Sequence, residues 1–142
     1  MRGIVLDTNV VSALFHVQED VNVKRWFLDQ KLESLYLTSI NLAEILFGIR
    51  KLVQGRRRGI LEQWVEDTIY PNFMERILSF DQSAADVWAN MIIADRAIGK
   101  PRPLVDSYIG AIVKVSGFAI ATRNQRDFEG LDFEIINPFE QR

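Results

Sequence analysis

The side chains of this chain that could do chemistry are overwhelmingly carboxylates, ten aspartates and nine glutamates, because cysteine is absent and His16 is the only histidine. That inventory excludes thiol nucleophiles, zinc ribbons, iron–sulfur clusters and sites built on several imidazoles. Asp7, Glu44, Asp106 and Asp127, with the amide of Asn124, stand out by where they fall. Asp7 ends a short apolar run, Ile4-Val5-Leu6. Glu44 comes 37 residues later and Asp106 a further 62, with Asn124 and Asp127 following after 18 and 21 more. Carboxylates gathered in one cleft repel each other and raise one another's pKa. A divalent cation removes the conflict, and oxygen-only ligands with retained waters suit Mg²⁺ or Mn²⁺. Metals held in this way activate water for in-line attack on a phosphodiester.

The elements that must position these groups follow from the hydrophobic pattern. Ile4–Leu6 is an uninterrupted apolar and β-branched run, as expected of a strand buried on both faces, and Leu35–Thr38, Ile77–Phe80, Phe118–Ala121 and Glu134–Ile136 read as further strands. Between them lie helical patterns. The first, after Thr8 and Asn9, carries Val10, Val11, Leu14 and Phe15. The second spans 20–32, with Val23, Trp26, Phe27 and Leu28 inward. The third, capped by Ser39 or Asn41, runs to about Val53. Residues 55–75 are helical, with Pro71 ending or kinking the run. A long helix follows Asp81 or Ser83, with Ala84, Val87, Trp88, Met91, Ile92 and Ala94 inward, and ends at Gly99. Pro103 suits the first turn of the next helix, which Gly117 stops. Strand–helix alternation predicts an α/β fold, three-layered α/β/α, around a parallel sheet of four to five strands. In such sheets ligands bind beyond the carboxyl ends of the strands. That rim is where Asp7, Glu44, Asp106, Asn124 and Asp127 all belong.

Each residue also has a plainer role. Asp7 could cap a helix, Glu44 shares a solvated stripe with Asn41, Gly48 and Lys51, and Asp106 favours a helix N-terminus electrostatically. Asn124 and Asp127 sit in a polar loop where turn formation is sufficient. The run Arg56-Arg57-Arg58 fits an exposed helical face. It is the joint pattern that points to a site.

Four ordered blocks carry a resemblance. They are Ile4–Asn9 (IVLDTN), Thr38–Ile45 (TSINLAEI), Pro103–Ile109 (PLVDSYI) and Ala121–Phe128 (ATRNQRDF). Together they resemble a PIN domain, and more narrowly the VapC or FitB-like toxins of prokaryotic toxin–antitoxin pairs. The similarity spans residues 1–142, implying a single PIN domain. The resemblance implies Asp7, Glu44 and Asp106 as metal ligands. Asn124 or Asp127 would complete the site, since some members have Asp where Asn124 stands. Thr122, Asn9 and Ser39 would support them. It further implies Mg²⁺- or Mn²⁺-dependent endonucleolytic cleavage of RNA leaving a 5′-phosphate, with transfer RNA a family-level expectation. A homodimer is implied as well, silenced by a cognate antitoxin whose C-terminal part lies across the groove, in a higher toxin–antitoxin hetero-oligomer.

Composition bounds the alternatives. A net charge of −2 argues against coating nucleic acid by bulk charge, so contact with RNA must be local. Arg56, Arg57, Arg58, Arg123 and Arg126, with Arg50 and Lys51, are the candidate phosphate contacts. Trp26, Phe47 and Trp64 are candidates for the antitoxin or for the core. No stretch approaches a membrane span and no signal peptide is evident, so a cytoplasmic protein is expected. A receiver-like module would need an acidic pair after the first strand, where Thr8 stands, and a phosphoacceptor after the third, where Asp81 is available. A phosphatase of the haloacid-dehalogenase kind would need Asp where Asn9 stands. A catalytically inactive metal-binding interaction module is the remaining alternative.

Overall fold

A computed structural model describes residues 2–15 and 20–140. His16 lies outside the described residues. Strands β1 (Ile4–Leu6), β2 (Leu35–Thr38), β3 (Ile77–Leu78), β4 (Ala119–Ala121) and β5 (Ile135–Ile136) form one parallel sheet in the order β3-β2-β1-β4-β5. Val5 lies opposite Tyr36 on one side and Ile120 on the other. The chain builds β1, β2 and β3 outward in one direction, then returns to lay β4 on the free edge of β1. The order therefore reverses between β1 and β4, the topological switch point at which open parallel sheets leave a crevice.

The helices are α1 (Thr8–Phe15), α2 (Val21–Leu28), α3 (Ser39–Arg50), α4 (Arg56–Trp64), α5 (Tyr70–Phe73), α6 (Gln82–Ala97) and α7 (Leu104–Ser116). Alternate strand residues face opposite layers. Leu6, Leu35, Leu37 and Ala121 pack with Val10, Val11, Leu14, Ile45, Ile49 and Phe73. Val5 and Ile120 pack on the other face with Ile109, Val113 and Phe128. A third cluster, Met91, Ala111 and Leu131, joins α6 to α7. The three-layer α/β/α expectation holds, with five strands. Gly117 ends α7 at φ +74°, the left-handed cap that a side chain would strain.

Several local expectations are corrected. α2 stops at Leu28 rather than near 32. The N–H of Asp29 bonds to Trp26 O, and a 3₁₀ turn at Leu32–Ser34 leads into β2. Leu28 is 80% exposed, since five residues of helix turn it well away from buried Val23. Thr38, not Ser39 or Asn41, is the cap of α3, because its extended φ/ψ lets its hydroxyl accept from the Asn41 N–H. That helix ends at Arg50, short of Val53. β3 is only Ile77–Leu78. Phe80 leaves the sheet to meet the Tyr108 ring at 5.2 Å. Pro71 does not end its helix. A π turn at Val65–Ile69 widens the run ahead of it, with Tyr70 N–H on Val65 O, and α5 continues. Pro103 stands one residue before α7, as its cap. In α6 the inward stripe passes through Ala84, Met91 and Asp95, leaving Ala94 exposed. Among the described residues no helix is long and apolar enough to cross a membrane.

Candidate active site

Asp7 is the first residue beyond β1, and its N–H still bonds to Ala121 O at 2.9 Å. Its backbone is therefore held by the sheet at the switch point. The side chain is 3% exposed. Oδ1 accepts from the Thr8 N–H at 2.8 Å and from Asn41 Nδ2 at 3.2 Å, and Oδ2 accepts from the Thr122 hydroxyl at 2.7 Å. Burial pushes the Asp7 carboxyl above its ordinary value, the three hydrogen bonds pull it back, and the charge of Asp127 adds to the rise.

Glu44, in the second turn of α3, accepts from the Thr8 hydroxyl at 2.8 Å. Partial burial raises its pKa, and the Asp7 charge contributes. Asp106, in the first turn of α7, is pushed up to about 7. Burial comes first, then a hydrogen bond shared with the Asp127 carboxyl, then the charges of Asp7, Asp127 and Glu44. Four carboxyls from four parts of the chain thus sit within one another's field. Among the described residues, no three acidic or histidine side chains form a ready-made metal cage. The donor set instead fits a cation such as Mg²⁺, which keeps several waters and takes one or two carboxylates.

Asn124 and Asp127 lie at the same turn beyond β4. Asp127, in the 3₁₀ turn Gln125–Phe128, brings its carboxyl to Asp106. Asn124 is exposed. Its N–H bonds to Thr122 Oγ1 at 2.9 Å and its carbonyl accepts from the Asp127 N–H at 3.1 Å. Thr122 is fully buried and ties the site together, donating to Asp7 while accepting from Asn124. Asn9 Nδ2 lies 3.5 Å from the same hydroxyl, and Asn9 Oδ1 accepts from the Arg123 N–H at 3.2 Å. Ser39 takes no part in these hydrogen bonds. The polar support at the start of α3 comes from Thr38 and Asn41.

Asn41 is a residue that the sequence placed as a helix cap or on a solvated stripe with Glu44, not in the site. Fully buried, it donates through Nδ2 to both Asp7 and Thr8 while its Oδ1 accepts from the N–H and hydroxyl of Thr38. Its signal was available in the spacing, since Asn41 lies three residues before Glu44 on the same helical face. Asp81 caps α6 by accepting from the Ala84 N–H at 2.9 Å.

The candidate cations separate into committed and presented ones. Arg58 is bonded to Leu52 O and paired with Glu62, so it serves the α3–α4 connection. Arg57 and Lys51 line a groove with Thr8 and Glu44, while Arg56 and Arg50 are exposed beside it. On the other side of the acids, Arg126 lines a cleft with Asp127, and Arg123 stacks 3.9 Å over the Phe139 ring. Trp26 and Trp64 pack against the core, whereas Phe47 is 69% exposed.

A sequence profile of the PIN domain matches residues 4–134. The chain belongs to the PIN domain family. Within it, the chain is 38% identical over 137 residues to VapC ribonuclease Y4jK of Sinorhizobium fredii, covering 96% of this chain and 98% of that protein. It is 34% identical over 136 residues to toxin FitB of Neisseria gonorrhoeae, with 96% and 98% covered. The crystal structure of FitAcB from Neisseria gonorrhoeae superposes with a TM-score of 0.91 at 33% identity, over 97% of this chain and 99% of that one. The family agrees with the five-stranded α/β/α fold described above.

Thr122→Val tests the hydrogen-bonded frame of this PIN site. The isosteric change strands the Asn124 N–H and removes a donor from Asp7, so a stability loss of about 1–3 kcal/mol is expected. A 10- to 100-fold loss of nuclease activity, the usual scale for a group that orients a ligand, should accompany it. Unchanged activity in a folded Thr122→Val protein would remove Thr122 from the functional frame.

Proposed function

We propose that this protein is a divalent-metal-dependent endoribonuclease and the toxin of a toxin–antitoxin pair. The observation that carries this reading is the convergence of Asp7, Glu44, Asp106 and Asp127 at the β1–β4 switch point, where burial first, then the hydrogen bond with Asp127 and the neighbouring charges, raise Asp106 to about 7. The names of its relatives, a VapC ribonuclease and a toxin, support the same direction. Asp7 and Asp106 would hold Mg²⁺ or Mn²⁺, with Glu44 and Asp127 completing the acidic set. A bound cation supplies water activation and charge neutralisation at the scissile phosphate.

The chain's own residues do the rest. Thr8, Asn41 and Thr122 fix the Asp7 oxygens through three hydrogen bonds, so the ligand needs no reorganisation on binding. Glu44 Oε, with its raised pKa, is suited to take the proton of an attacking water. Lys51 and Arg57 on one side, and Arg126 on the other, would grip RNA phosphates beside the acids. Asn124 shapes the Asp127 turn. The groove between α1, α3 and α4, about 310 Å³ and floored by Ile45, Ile49, Leu52, Leu61 and Trp64, ends at Thr8 and Glu44. An antitoxin segment seated there would cover the acids directly. The proposed setting is the cytoplasm, with a homodimer as the toxin unit.

Purified protein should cleave single-stranded RNA with Mg²⁺ or Mn²⁺, and EDTA should stop cleavage completely until the cation is restored. Cleavage that persists in EDTA would sink the metal mechanism. Cutting of DNA but not RNA would overturn the substrate class.

A further inference from the structure

The acidic cluster is assembled from separate segments: Asp106 stands in α7 and Asp127 in the 3₁₀ turn Gln125–Phe128. One side chain joins those segments. Arg102 forms a bidentate pair with Asp95, Nε–Oδ2 at 2.7 Å and Nη2–Oδ1 at 2.9 Å, with the two side chains only 11% and 8% exposed. Its Nη1 also donates to Asp127 O at 3.0 Å and to Glu129 O at 3.2 Å. Arg102 stands four residues before Asp106, at the entry to α7. One guanidinium thus ties α6, the start of α7 and the turn that carries Asp127.

The choice of residue is informative. Replacing a buried ion pair with apolar side chains of similar volume is commonly neutral or stabilising, so stability alone gives little reason for this pair. What an apolar replacement cannot supply is the planar fork, which uses two N–H groups on the carboxylate and still presents a third to backbone carbonyls. We propose that Arg102, locked by Asp95, is a positioning residue that holds the Asp127 turn against Asp106 so that the two carboxyls stay together as a cation site. This rests on the metal-site reading given above.

The test uses the full-length protein as wild type, the double variant Asp95→Leu/Arg102→Met, and Asp106→Asn. Three quantities are measured: melting temperature, Mn²⁺ affinity from the electron paramagnetic resonance signal of the free ion, and amide hydrogen exchange at residues 125–129 without metal. The double variant should melt near the wild-type temperature, bind Mn²⁺ about 10- to 100-fold more weakly, and exchange faster at 125–129. Wild-type Mn²⁺ affinity or unchanged exchange in that variant overturns the clamp, because a merely structural pair would be fully replaced by the apolar one. Failure of the two readings is distinguishable. Equal Mn²⁺ affinity in wild type and Asp106→Asn overturns the metal site, and the clamp's purpose with it. A loss in Asp106→Asn with none in the double variant overturns the clamp alone.

Discussion

Asp106→Asn is expected to abolish RNA cleavage, by at least ~100-fold, and at the same time to raise the melting temperature of the metal-free protein at pH 8. The two effects share one cause. The Asp106 carboxyl is pushed up to about 7 by burial, by the hydrogen bond with Asp127 and by the neighbouring negative charges. Because the folded pKa exceeds the unfolded value of about 3.8, the folded state binds this proton more tightly than the unfolded one. The carboxyl therefore costs nothing below about pH 4, costs progressively more as pH rises toward 7, and exerts its full penalty above 7. Asparagine carries no charge at any of these values. The two proteins should melt together near pH 4 and diverge by pH 8, with the variant higher by about 2–4 °C for each kcal/mol of relieved repulsion. Mg²⁺ should raise the wild-type melting temperature and not that of the variant. Thermal melts at pH 4, 6 and 8 with and without Mg²⁺ check all of this. A variant that melts lower than wild type at pH 8 would show that Asp106 supports the fold rather than straining it.

Asp7→Asn should be equally inactive but should not gain stability in the same way. Asp106 is half-buried among acids, whereas Asp7 accepts from the Thr8 N–H, Asn41 Nδ2 and the Thr122 hydroxyl. An asparagine can keep only one acceptor oxygen there. Its amide nitrogen must face either two N–H donors or the Thr122 hydroxyl, which already receives the Asn124 N–H. A stranded buried donor costs about 1–3 kcal/mol, and this opposes the relief of burying a charge. The expected protein is folded, slightly less stable than Asp106→Asn, and at least ~100-fold less active than wild type. Circular dichroism with an RNA cleavage assay checks it, and retained cleavage in a folded Asp7→Asn protein would remove Asp7 from the mechanism.

The acids themselves were legible because each follows a strand or opens a helix, and those boundaries show in the apolar runs. Residues that act through hydrogen bonds across the fold were harder to see. Asn41 reads locally as a helix-start residue, and only the proximity of β1 makes it a partner of Asp7. Asp95 and Arg102, seven residues apart across the end of α6, carry no sequence signal that marks them as a pair. Their burial comes from the packing of α6 on α7 and the loop beyond β4. The arginine run was ambiguous for the same reason, since helical rotation turns Arg58 toward Leu52 and Glu62 but leaves Arg57 on the groove.

Sequence by itself determined the kind of chemistry: oxygen ligands, no thiol, a single histidine, and acids at the carboxyl ends of strands in an α/β protein. Tertiary structure alone decided which of them meet. Asp7 and Thr122, 115 residues apart, share a 2.7 Å hydrogen bond because β4 returns to the free edge of β1 instead of extending the sheet beyond β3. That pairing is a long-range backbone contact with no local signature in the chain. The same is true of the surroundings of Asn124 and Asp127, which lie three residues apart in one loop. The 3₁₀ turn that carries Asp127 is bonded through its backbone to Arg102 and to the Asn124 carbonyl, and the Asp127 carboxyl interacts with Asp106.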